Sequence, residues 1–265
     1  MLNFNQMPSI RNIVSLYFSC FCLIWPTYGW KYIGQQANKR LTNSTDFDVF
    51  VFTQHWPPTV CYLWREKVSN HSCSLSTSEE WTIHGLWPTQ NHKVGPQFCD
   101  KSLPFDVNAL NEIRSELELK WTDVENRKPR SSFWRHEWEK HGTCAAALES
   151  LNTELKYFKK GLELLDTYDM KHVLAKASIV PGQNYTIQSL LEGVQKILGK
   201  KPEILCVVSK DKKISYIFEI RICLDKKFQL VDCDNITQFP TNCKLSTSLL
   251  YPTNTPEDYQ VIQIL

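Results

Sequence analysis

His136-Glu137-Trp138-Glu139-Lys140-His141-Gly142 places two imidazoles, a carboxylate and an ammonium within seven residues. On a helix, which turns ~100° per residue, the groups at positions 136, 137, 140 and 141 span ~140°, while Trp138 and Glu139 point elsewhere. All four can therefore line one side of a cleft. Upstream, Trp81-Thr82-Ile83-His84-Gly85-Leu86-Trp87-Pro88 sets a third histidine in an alternating, strand-like run, followed at once by a glycine. Together the two segments supply an acid, a base and an anion clamp.

A zinc-protease helix is the nearest competitor. Its H-E-x-x-H pattern needs histidines at i and i+4 so that both nitrogens reach one ion. Here i+4 is Lys140, whose ammonium repels a cation, and His141 at i+5 is rotated ~140° from His136. No metal site is expected. Blander readings exist for each residue: Glu137 and His141 as a helix pair, Glu139 and Lys140 as a solvated face, His84 as a hydrogen-bonded core histidine. They must all hold at once, and they leave unexplained why both segments are packed with tryptophan.

These residues carry a resemblance. The stretch I-H-G-L-W-P ending at Pro88 and the stretch F-W-R-H-E-W-E-K-H-G-T-C from Phe133 to Cys144 resemble the two active-site segments of the ribonuclease T2 family. Gln54-His55-Trp56-Pro57-Pro58 is similar to the family's early strand end, and the resemblance extends from about Thr45 to Leu245. It implies a metal-independent endoribonuclease acting on single-stranded RNA.

The surrounding chain is consistent with export. Arg11, an apolar run from Ile13 to Trp25, then Pro26 and the small-residue exit Thr27-Tyr28-Gly29 read as a signal peptide over residues 1–29. The run falls short of the ~20 residues a bilayer requires, and no later segment is apolar enough to span. Two of the ten cysteines lie inside this leader, leaving eight. An even set in an exported chain argues for disulfides, in any of ~105 pairings. The resemblance selects Cys61 with Cys73, Cys99 with Cys144, Cys206 with Cys243, and Cys223 with Cys233. Sequons at Asn43, Asn70, Asn184 and Asn235 suit a glycoprotein. A secreted or lysosomal lumenal protein is expected.

Net charge is +2, or +1 without Arg11, so nucleic-acid binding has to come from a local cleft and not from a generally basic face. All seven histidines follow the leader, and in an acidic lumen they can carry the charge to +8. The four Lys-Lys pairs read as solvated faces.

About 236 residues remain from Trp30, enough for one domain over 30–245. Strand patterns occupy Asp46 to Thr53, Trp81 to Leu86, Ile204 to Val208 and Ile214 to Leu224, the last with Ile214, Tyr216, Phe218, Ile220 and Ile222 alternating. Asp106 should cap a helix presenting Val107, Leu110, Ile113 and Leu117. Further helices run through Leu155, Phe158, Leu162 and Leu165, and through Ile187, Leu190, Leu191, Val194 and Ile197. The expectation is an α+β fold: one disulfide-bonded domain with a central antiparallel sheet and several helices. Residues 246–265 show no period and read as a loosely docked tail.

RNA carries its own nucleophile, the 2′-hydroxyl, so cleavage needs a base for its proton, an acid for the departing 5′-oxygen and a cation for the phosphoryl charge. His141 is assigned as base, His84 as acid and Lys140 as clamp; Glu137 orients His141 or helps move its proton, and His136 hydrogen-bonds the phosphate. These roles agree with what the resemblance implies. No cofactor is called for, RNA is the expected partner, and a monomer is expected. Trp87 either stacks on a base or packs in the core. Relatives often follow the Trp-Pro pair with an acidic residue or its amide, whereas Thr89 stands here, so base preference does not transfer. Two other classes stay open at this point: a secreted binding or signalling protein that keeps the fold, and a metal-dependent hydrolase.

Overall fold

The apolar alternation of Val49–His55 makes β1, and its two faces have different fates. Phe50 and Phe52 enter the main hydrophobic core, while Val51, Thr53 and His55 point to the opposite side of the sheet. Strand β1 sits between β2 (Thr82–Thr89) and β5 (Ser215–Leu224), antiparallel to both. The computed structural model describes residues 46–75, 79–93, 95–211, 213–236 and 240–256. The expected signal peptide and Asn43 lie outside these residues.

The chain order is β1, α1 (Pro57–Lys67), β2, a 3-10 turn (Val107–Ile113) running into α2 (Arg114–Lys120), α3 (Ser132–Glu137), a π turn (Trp138–Gly142), α4 (Thr143–Ala145), α5 (Glu154–Thr167), α6 (Met170–Lys176), β3 (Gln183–Thr186), α7 (Ile187–Leu198), β4 (Glu203–Val208), β5, β6 (Leu230–Val231) and β7 (Ser248–Tyr251). Seven strands form one sheet in the path β2-β1-β5-β7-β3, with β4 and β6 also paired to β5. The expected α+β domain is therefore present. The sheet is mixed, because a single parallel bridge, Tyr216 to Leu250, joins β5 to β7. All four cysteine pairs implied by the resemblance are bonded. Among the described residues no helix is long and apolar enough to cross a membrane.

Local chemistry accounts for the boundaries. Pro57 and Pro58 stop β1 from continuing and open α1, where a missing N–H costs nothing. Asp106 caps as expected, its carboxylate accepting from Asn108 N, although the first turns tighten to 3-10 geometry before α2 begins. Thr186 caps α7 through Ser189 N, and Gly199 ends it in the left-handed conformation at φ 70°.

Two expectations need correction. The β5 alternation does not run unbroken from Ile214 to Ile222: Leu205 pairs with Glu219 but Cys206 pairs with Ile217, so Phe218 is an extra, bulged residue. The apolar phase shifts there, leaving Ile217 in the core, Phe218 half-buried and Ile214 43% exposed. The supposed tail contains β7, too short for its period to register in sequence. Leu249 and Tyr251 are buried, Tyr251 accepts a hydrogen bond from Trp81 Nε1 at 2.7 Å, and Trp56 Nε1 donates to Pro252 O at 2.8 Å. Residues 257–265 lie outside the described ones.

Candidate active site

The sheet face away from the core carries Thr53 and His55 on β1 and Glu219 and Arg221 on β5, in register as His55 opposite Glu219 and Thr53 opposite Arg221. Strand β2 completes it with an irregularity: Thr53 pairs with Gly85 and Gln54 with Ile83, so His84 is the bulged residue between them. Bulges re-aim side chains, and this one presents His84 to the polar face, where its Nδ1 lies 2.6 Å from Glu219 Oε1.

The α3 segment and its π turn cover this face. The sequence predicts a continuous helix through His141, whereas α-geometry stops at Glu137 and hydrogen bonding widens over Trp138–Gly142. Positions five apart, His136 and His141, are consequently brought closer to a common face than α-helical spacing allows. Gly142 makes the turn possible, because a Cβ there would come within 2.2 Å of the Trp138 ring. Trp138 itself is buried, donating to Leu103 O at 3.0 Å.

Trp87 joins floor and wall. Its Nε1 donates to Glu137 Oε2 at 2.9 Å, its ring centroid is 5.0 Å from His84 and 5.4 Å from His141, and the Arg221 guanidinium lies 5.3 Å over it. A Cβ on residue 85 would stand 2.0 Å from Trp87 Nε1 and 2.3 Å from Glu137 Oε2, so only glycine admits this contact. Two further tryptophans, Trp134 of the second motif and Trp121 outside both, brace the backbone: Trp121 Nε1 reaches His84 O, and Trp134 Nε1 reaches Trp121 O.

The structure thus gathers His84, Trp87, Glu137 and His141 in direct contact, with half-exposed Lys140 and exposed His136 at the rim. Glu137 engages Trp87, and among the described residues the buried His141 Nδ1 has no hydrogen-bond partner. Sequence reasoning missed Glu219, Arg221 and His55. The available signal was the polar phase of β5 and the position of His55 immediately before Trp56.

Electrostatics separates the imidazoles. Burial opposes the charge on His84, but the Glu219 carboxylate overcomes it and raises the histidine above its ordinary value. Burial would likewise raise Glu219, yet His84 and Arg221 hold it at about 2. His141 is lowered well below the usual imidazole value by burial first, then by the charges of Lys140, His136 and His84. Burial also lowers His136, helped by Lys140, and drives His55 to about 3. Glu137, 1% exposed, is raised by burial against the pull of His84 and the Trp87 hydrogen bond.

A cleft of about 360 Å³ opens beside this cluster, lined by Trp87, Thr89, His92, Gln97, His141 and Arg221 among others. Trp87 is half-buried: it packs against the small apolar cluster of Val49 and Val51 and also lines this cleft.

Residues 47–233 match the Ribonuclease T2 family. The chain is similar to Ribonuclease Oy of Magallana gigas, 37% identical over 78% of this chain and 97% of that one. It is also similar to Ribonuclease T2 of Homo sapiens, 36% identical over 84% and 82% respectively. Among solved structures, ribonuclease MC1 from bitter gourd seeds superimposes with a TM-score of 0.66 at 30% identity, covering 77% of this chain and all of that one. Human RNase T2 gives 0.63 at 30% identity, covering 78% and 98%. A mutant of the bitter gourd enzyme has been solved with 5′-UMP bound.

Proposed function

Given that the chain belongs to the ribonuclease T2 family and is an endoribonuclease, we propose that it cleaves single-stranded RNA without a metal, by attack of the substrate's 2′-hydroxyl on its own phosphodiester. Neutral His141 removes the 2′-proton. Protonated His84 delivers a proton to the 5′-oxygen as the bond from phosphorus to that oxygen breaks. Lys140 meets the charge that grows on the phosphoryl oxygens, and His136 donates to the phosphate from the rim. The 2′,3′-cyclic phosphate is then hydrolysed to a 3′-phosphate with the two histidines exchanging roles.

One observation carries this reading. Two imidazoles flank Trp87 at 5.0 and 5.4 Å in environments that push their ionisation in opposite directions, which is how an acid and a base are told apart. Glu137 holds Trp87, keeping both rings in register around it. Trp87 in turn offers a base a stacking surface worth ~1–3 kcal/mol regardless of sequence. Four disulfides, exposed sequons at Asn70 and Asn184, and a similarity to Extracellular ribonuclease LE of Solanum lycopersicum at 33% identity support an exported protein, with residues 1–29 as its leader. No observation favours a pure binder.

The test is an oligonucleotide with one ribose among deoxyriboses. Cleavage is expected only on the 3′ side of that ribose, leaving a cyclic phosphate identified by mass, with the rate unchanged by chelator. Scission at an all-deoxy linkage would mean that the nucleophile is not the 2′-hydroxyl.

A further inference from the structure

Glu219 is 1% exposed and ionised, on the sheet face beneath the site. Three donor nitrogens on two side chains hold it. Its Oε1 meets His84 Nδ1 at 2.6 Å, and its Oε2 accepts from Arg221 Nη2 at 2.8 Å and Nε at 3.2 Å. Arg221 is itself tied through Nη1 to Glu203 Oε2 at 3.1 Å on the adjacent strand. An ionised carboxylate has only lone pairs to offer, so the hydrogen in the contact to His84 sits on Nδ1. The proton the ring can give away is then on Nε2. Because the His84 side chain is 31% exposed, the ring runs from this buried anchor toward solvent.

A purely structural account fits poorly. Strands β4 and β5 are already joined by their backbone ladder and by the Arg221–Glu203 pair, and buried charges seldom add stability over apolar residues of equal volume. A carboxylate at this depth needs another reason.

We propose that Glu219 is the positioning residue of the general acid: it accepts from His84 Nδ1, fixes the ring so that Nε2 faces the leaving 5′-oxygen, and stabilises the imidazolium, while Arg221 holds the carboxylate in place. This rests on the ribonuclease reading and deepens it. During transphosphorylation the Nε2 proton passes to the 5′-oxygen, and His84 is left neutral, still donating through Nδ1. During hydrolysis of the cyclic phosphate Nε2 takes a proton from water and His141 returns its proton to the 2′-oxygen. Glu219 stays ionised throughout. The charged and titratable groups facing His84 are Glu219 and Arg221 from β5, His55 from β1, and Glu137, His136 and His141 from the helical wall.

Glu219→Gln keeps the size and removes the charge. Its kcat/KM profile should lose the alkaline limb to lower pH, with the acidic limb in place and activity at neutral pH reduced about tenfold for each unit moved. An unmoved alkaline limb in a folded variant would overturn the proposal, whatever its amplitude. If the variant does not fold, nitrogen-15 NMR of the His84 ring in the unaltered protein decides: neutral His84 should be the Nδ1–H tautomer and titrate above the ordinary imidazole value, and an Nε2–H tautomer would refute the assignment. A wild-type protein inert on RNA at every pH would remove the ribonuclease reading and this proposal together. An active wild type with an unshifted variant removes this proposal alone.

Discussion

His84 and His141 are the same side chain in opposite surroundings. The first rises from the sheet floor onto a buried carboxylate; the second hangs from a π turn beside an ammonium and another imidazole, its buried Nδ1 without a hydrogen-bond partner among the described residues. The floor therefore stabilises the protonated ring and the wall stabilises the neutral one. Between the lowered value of His141 and the raised value of His84 lies a pH window in which the proposed base is unprotonated and the proposed acid protonated. Both are then in their starting states. The proposed chemistry needs no specially reactive group, only two imidazoles that burial and neighbouring charge push in opposite directions.

The strongest way to break this comparison is to delete each ring. His84→Phe and His141→Phe should each reduce turnover ~10²-fold or more by loss of proton transfer. The residual pH profiles should differ, however. Without His141 the acidic limb goes, since that limb reports protonation of the base. Without His84 the alkaline limb goes, since that limb reports loss of the acid's proton. If both variants lost the same limb, the two environments would not be assigned to two roles.

A second test separates floor from wall mechanically. The wall is pinned by Cys99–Cys144, with Phe98 N donating to Lys140 O at 2.9 Å and Cys99 N to Thr143 Oγ1 at 3.2 Å. The floor hangs on backbone ladders that this link does not touch. Replacing both cysteines with serine should lower unfolding free energy by ~2–4 kcal/mol in a denaturant titration. The resonances of His141 should broaden while those of His84 stay sharp. Unchanged stability would mean that the wall is held by packing alone.

The wall was legible in sequence and the part of the floor around Glu219 and Arg221 was not, for a physical reason. His136, Glu137, Lys140 and His141 lie together in a short run, and their residue types alone suggest proton transfer. Glu219 and Arg221 occur far downstream between apolar residues, where a polar residue on an antiparallel strand normally faces water. Only the three-dimensional covering of that face by α3 and its π turn changes their meaning. His84 reads as the acid from the Trp81 to Pro88 segment and its resemblance, but the bulge that aims it depends on pairing with Gln54 and Thr53. The π turn was similarly hidden, because one extra residue per turn does not alter the pattern over so short a stretch. Disulfide connectivity came from resemblance and not from spacing. The strand Ser248–Tyr251 escaped because four residues give too few repeats to show a period.

The smallest expected change is a displacement of one limb by Lys140→Gln. Lys140 lowers His141 through its charge, but burial stands ahead of it among the causes and His136 and His84 act in the same direction. Removing the ammonium should therefore let His141 hold its proton to higher pH, moving the acidic limb upward but only part of the way back to the ordinary imidazole value. The alkaline limb should scarcely move, because His84 is governed by Glu219 on the other side of the ring. Amplitude should fall too if Lys140 is the proposed phosphoryl clamp, and the limbs must be read from profiles normalised to their maxima. A downward move of the acidic limb would show that Lys140 does not act on His141 through its charge. A full return to the ordinary value would show that charge, and not burial, keeps the base neutral.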